Sequence, residues 1–108
     1  MKYVDIIQYL ISPKQLDDLY ERIGAAKDSE ALLIYMKGAL DLESEIYIFA
    51  IEETGDYLIF EKDGCQYYQL FPVGHAVELI ENDLDLKNKG YSATEVAQRL
   101  LDYRLNDA

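Results

Sequence analysis

The chain has 108 residues, half of them apolar, and a formal net charge of −11 from 21 Asp and Glu against 10 Lys and Arg. That apolar content excludes a disordered acidic tail. The length predicts a single domain spanning 1–108, able to bury roughly two thirds of its unfolded surface without disulfides or metal. An acid excess of this size repels phosphate and anionic membrane surface and favours basic partners.

Residues 2 to 11 place Tyr3, Ile6, Ile7, Leu10 and Ile11 at helical spacing, although Val4, Ile6, Ile7 and Tyr9 also suit a strand. Ser12-Pro13-Lys14-Gln15 reads as a helix start, with Ser12 as cap, Pro13 at the first position and Gln15 completing a capping box. Leu16, Leu19, Tyr20 and Ile23 follow on one face, and Gly24 is the expected terminator. From Asp28 or Ser29 to about Leu40 a helix is favoured, with Leu32, Tyr35, Met36 and Ala39 on one side. A buried strand over Leu32 to Met36 is the alternative, and Gly38 weakens the helix by about 1 kcal/mol relative to Ala.

At Glu45 the period changes to two. Ile46 to Ile51 is apolar on both faces, as in a strand inside a sheet. Thr54-Gly55-Asp56 supplies a turn, Tyr57 to Glu61 a second strand, Asp63-Gly64 a two-residue hairpin, and Cys65 to Phe71 a third strand ended by Pro72. Gly74 to about Asp83 is helical again, and Asp85 to Gly90 is loop. Ser92-Ala93-Thr94-Glu95 is a full capping box opening a last helix with Val96, Ala97, Leu100, Leu101 and Leu105 as its apolar stripe. The class predicted is α+β: a three- or four-stranded antiparallel β-meander packed with N-terminal and C-terminal helices.

Motifs that carry chemistry are scarce. The sequence holds one His and one Cys, His75 and Cys65, with no orienting motif around either. It contains no GxSxG, P-loop or GxGxxG. Glu52 and Glu53, adjacent on an expected strand, would point to opposite faces and could not act together. An EF-hand register starting at Asp83 fails, because Lys87, Asn88 and Thr94 stand where ligands or Gly are required. No cofactor and no metal are therefore expected. Ten scattered Lys and Arg argue against direct nucleic-acid binding. The lone Cys65, the broken N-terminal apolar stretch and the absence of an apolar run near 18 residues predict a soluble cytoplasmic protein, with no membrane partner.

The acid is concentrated between Asp28 and Asp63, where ten carboxylates face only Lys37 and Lys62. Tyrosine is abundant, with ten in the chain and Tyr47, Tyr57, Tyr67 and Tyr68 on the expected strands. Tyr suits a sheet interior, and it is also a rigid interface anchor with a polar tip. The expectation is a non-catalytic acidic protein that docks a basic protein partner. Glu43, Glu45, Glu52, Glu53, Asp56 and Asp63 would steer the encounter, and Tyr47, Tyr57, Tyr67 and Tyr68 would anchor it. Size and charge are those of immunity proteins, antitoxins and DNA-mimicking inhibitors. A self-associating adaptor, with a sheet face or edge buried in a homodimer, is the first alternative. A small carboxylate enzyme using His75 as base is the second.

Overall fold

The computed structural model describes residues 1–25 and 28–107. Helix α1 (Tyr3–Ile11) and a 3-10 turn (Pro13–Gln15) lead into α2 (Leu16–Ile23), which ends at Gly24 in the left-handed conformation, φ 70°. Gly24 lets the Ala25 N–H fold back onto the Tyr20 carbonyl at 2.9 Å and satisfy an end-of-helix acceptor. Strands β1 (Leu32–Lys37) and β2 (Ile46–Ala50) follow, then a single turn, α3 (Ile51–Thr54). Next come β3 (Ile59–Lys62), β4 (Cys65–Pro72) and α4 (Val73–Glu78), which widens into a π turn over Leu79–Asp83. The last helix is α5 (Ala93–Asp107), opened by the expected box: the Glu95 N–H donates to the Ser92 hydroxyl at 3.2 Å.

The α+β class stands, with one antiparallel sheet and helices at both ends. The strand order is β2-β1-β4-β3, so strands consecutive in the chain are not always neighbours in the sheet. Two hairpins, β1–β2 and β3–β4, join along β1 and β4, and β2 lies on the far edge from β3. Two expectations are corrected by this order. Residues 32–37 form a strand, because as a central strand their apolar run is buried on both faces. Conversely β2, read as an interior strand, is an edge; its second apolar side belongs to the aromatic face described below.

Helices cover one face of the sheet. There Ile34 and Met36 of β1, Ile46 of β2 and Leu70 and Phe71 of β4 pack with Tyr3, Ile6, Ile7, Leu10, Leu79, Ile80, Leu100 and Leu101. A bulge in β4 places two consecutive side chains, Leu70 and Phe71, on this side: Ile34 pairs with Phe71 and Tyr35 with Gln69, leaving Leu70 unopposed. Buried Tyr3 donates its hydroxyl to the Ala97 carbonyl at 2.7 Å, tying α1 to α5 across the core. No described helix is long and apolar enough to cross a membrane.

Candidate partner-binding face

On the opposite face the alternation of β1, β2, β3 and β4 puts aromatic rings in contact. Leu33, Tyr35 and Tyr67 are buried there, and Tyr47, Phe49, Ile51, Phe60 and Cys65 are half-buried around them. Phe49 is the hub, with its ring centroid 5.6 Å from Tyr35, 5.3 Å from Phe60 and 5.2 Å from Tyr67. These contacts are edge-to-face, the arrangement that sets a ring's positive rim against a neighbour's negative face. Phe49 and Phe60 come from the two edge strands, so their meeting shows that the rings arch over the central strands. Lys62 closes one side, with Nζ 5.5 Å from the Phe49 centroid and 2.7 Å from the Glu53 carboxylate.

On its way from edge β2 to edge β3 the chain passes along this face, against Tyr35 and Gln69. The crossing segment, 51–58, begins with the single turn α3, ends that turn at Gly55 and Asp56, both with φ near 64° (65° and 63°), and is pinned by a polar cluster. The Tyr35 hydroxyl donates to the Tyr57 carbonyl at 2.7 Å. Gln69 Nε2 donates to the Tyr35 oxygen at 3.2 Å and to the Asp56 carboxylate at 3.1 Å. Thr54, also buried, accepts the Asp56 N–H on its hydroxyl. Arg104 of α5 donates to the Gln69 carbonyl, so the last helix supports the same strand. With its own backbone held in this way, the segment leaves Tyr57, Leu58 and Ile59 exposed at 69%, 62% and 56%.

The carboxylates expected to steer a partner all lie at the surface, but they do not form one patch. The Lys37 N–H donates to the Glu45 carbonyl and Lys37 pairs with Tyr67. Glu43, Glu45 and the Asp63–Gly64 turn are thereby gathered at one end of the sheet. Glu52 and Glu53 sit on α3, beyond the opposite end of β2, and Asp56 lies on the crossing segment. Residues 51–54 are helical rather than the end of a strand, so Glu52 and Glu53 do not point to opposite faces of a sheet. Glu52 has internal partners: its carboxylate accepts from the Ser29 hydroxyl at 2.5 Å and the Glu30 N–H at 3.0 Å. Those donors, the Ser29 hydroxyl first, hold its acid form below the usual carboxylate range. Glu53 is engaged by Lys62, Asp56 by Gln69, and Glu45 by the Tyr47 hydroxyl at 3.3 Å. Glu43 and Asp63 carry no such side-chain partner among the described residues.

Of the four tyrosines singled out, Tyr47 and Tyr67 belong to the aromatic face and Tyr57 stands exposed on the crossing segment. Tyr68 projects from the other face, with its hydroxyl on Gln66. Sequence reasoning missed Tyr35, Phe49, Phe60 and Gln69. The period-two signal was present in Leu33-Tyr35, Tyr47-Phe49-Ile51 and Tyr67-Gln69, and it becomes readable once 32–37 is taken as a strand.

Cys65 opens the eight-residue β4 and His75 sits in α4 past its other end, with a strand length of roughly 23 Å between, and they do not form a dyad. His75 is exposed, and its ring lies tilted against Phe71 with centroids 5.3 Å apart. The cavity beside it, about 230 Å³, is lined by Leu58, Gln69, Leu70, Phe71, Pro72 and Arg104 and contains no carboxylate. Among the described residues no three His, Cys, Asp or Glu converge as metal ligands would. Comparison with protein-family models, curated proteins and solved structures gives no match.

Proposed function

We propose that this chain is a non-catalytic acidic binding protein that docks a basic protein partner on the aromatic face of its sheet. One observation carries the reading: among the described residues no long helix packs into the cluster of half-buried Tyr47, Phe49 and Phe60 rings, which lies between two ends lined with exposed carboxylates. Aromatic residues bury large area with few rotatable bonds to freeze, and surrounding charge of one sign raises the encounter rate with an oppositely charged surface. Glu43, Glu45 and Asp63 at one end and Glu53 and Asp56 at the other would meet cations on the partner, while Tyr47, Tyr57 and Phe60 would supply anchorage. Covering a basic active site is enough to inhibit it. An immunity-type or DNA-mimicking inhibitor of a basic protein, acting in the cytoplasm, is the specific form of the proposal.

The test starts from affinity capture at low and moderate salt, followed by association kinetics with the protein retained. Glu43→Gln, Glu45→Gln and Asp63→Asn together should slow association by about tenfold at low salt and flatten its salt dependence. Asn tolerates the positive φ of 53° at position 63, so the turn is kept. An on-rate that the triple variant leaves unchanged at low salt would remove the steering role.

A further inference from the structure

We infer that β3 is a self-pairing edge, through which two copies of this chain associate as antiparallel neighbours. The argument starts from the two edges of the sheet. The β2 edge is partly occupied: Lys2 bridges Glu45, the Met1 carbonyl accepts the Ile46 N–H at 2.8 Å, and the Tyr3 N–H donates to the Ser44 carbonyl. No described segment pairs with the outer side of β3. It is also the edge at which Tyr57, Leu58 and Ile59 expose a contiguous apolar run. An unpaired edge with such a run is a template for another strand.

The backbone parity of β3 fixes which groups are free. The Gln69 N–H donates to the Leu58 carbonyl, and the two-residue turn makes Lys62 and Cys65 the last bonded pair. Leu58, Phe60 and Lys62 thus bond inward to β4, and the N–H and C=O groups of Ile59 and Glu61 point outward. A two-fold axis perpendicular to the sheet keeps each side chain on its own face, so a self-pair must centre on a residue. Centring on Glu61 sets that carboxylate against its own copy, and centring on Ile59 calls on Tyr57, whose N–H and carbonyl are already engaged by the Thr54 carbonyl and the Tyr35 hydroxyl. Centring on Phe60 sets Ile59 opposite Glu61 of the second copy, Phe60 opposite Phe60, and Leu58 opposite Lys62, with no like charges facing. Ile59 and Glu61 then exchange backbone hydrogen bonds reciprocally, and the two aromatic faces merge into one surface. The second copy is the occupant because the free backbone groups of Ile59 and Glu61 match their own copies in that register and no like charges meet.

Four-residue edges give a small interface, below about 1,200 Å², which places the association in the weak, reversible class. It is independent of the basic-partner reading, and salt separates the two. Screening weakens a contact with a basic protein, whereas it strengthens the pairing of two chains that each carry −11.

Sedimentation equilibrium of the purified chain at low and moderate salt is the experiment. The apparent mass should rise from monomer towards dimer with concentration, more readily at the higher salt. Ile59→Glu places a carboxylate opposite Glu61 of the other copy at both symmetric contacts and should weaken association by tenfold or more. Ile59→Lys, equally polar at the same exposed position, faces Glu61 with opposite charge and should leave association unchanged or tighter. A strict monomer at millimolar concentration would overturn the proposal. Equal weakening by Lys and Glu would overturn it as well, since a plain apolar patch has no register and no preference of sign.

Discussion

The two faces of the sheet are built from the same four strands and are filled differently. The helix-covered face is aliphatic: Ile34, Met36 and Leu70 are almost wholly removed from water by α1, α4 and α5. On the aromatic face the sheltered apolar side chains among the described residues are Leu33, Tyr35 and Tyr67, and the rings around them shelter one another. Aliphatic side chains need close-packed neighbours on every side to stabilise a fold, which a layer of helices supplies. Rings can be half-open and still make oriented contacts, so the aromatic face can remain available to something else. The comparison separates a face buried by helices from one left half-open, the face on which the proposed docking rests.

Breaking the covered face should have the largest effect. Ile34→Ala or Met36→Ala leaves a cavity between sheet and helices and should cost about 2–5 kcal/mol, read as a lower urea midpoint with little change in slope. Phe49→Ala, at the half-buried hub of the other face, should cost less, roughly 1–3 kcal/mol, while weakening partner binding more than either aliphatic change. If Phe49→Ala proved as destabilising as Ile34→Ala and left binding intact, the two faces would not divide the work in this way.

Smaller changes sharpen the comparison. Tyr35→Phe removes the hydroxyl that donates to the Tyr57 carbonyl and accepts from Gln69, at about 1–2 kcal/mol. Hydrogen exchange should show the loss concentrated over 54–58, because that hydroxyl pins the crossing segment. The smallest effect belongs to Glu52. Its folded-state acid form is held low by Ser29 and Glu30, so it contributes stability that is present above its unfolded value and lost as pH falls through the folded one. Glu52→Gln should therefore lower stability slightly at neutral pH and converge with the parent chain in acid. Parallel melting profiles through the acid range would show the contact to be inert.

Most of the helices were legible because their signals are local. Gly24, the Ser92–Glu95 box and the Asp63–Gly64 turn each declare themselves within four residues, and all three behave as read. The fate of 32–37 was not local. Leu32, Tyr35 and Met36 fit a helical stripe because the whole run is apolar, and only the placement of β1 between β2 and β4 makes it a strand. The strand order itself depends on β1 pairing with β4, thirty or more residues away in sequence. The candidate face was half-readable for the same reason. Its acids and Tyr47, Tyr57 and Tyr67 could be named, but Phe49, Phe60 and Tyr35 join them only after the pairing is known. The split of the acids between two ends of the sheet is a product of that pairing, invisible in a linear charge count.

The Tyr3 hydroxyl reaches a carbonyl 94 positions further along the chain. During synthesis at about 5–20 residues per second, α1 must therefore wait on the order of 5–20 s before Ala97 has even been added. Through that interval Tyr3, Ile6, Ile7 and Leu10 have no α5 to pack against, although they are among the most deeply buried side chains of the finished protein. The shelter of Tyr3, Ile6, Ile7 and Leu10 is complete only once α5 has followed them. While α5 is still to come, the nascent chain offers the apolar side of α1, on the face of the sheet opposite the aromatic cluster.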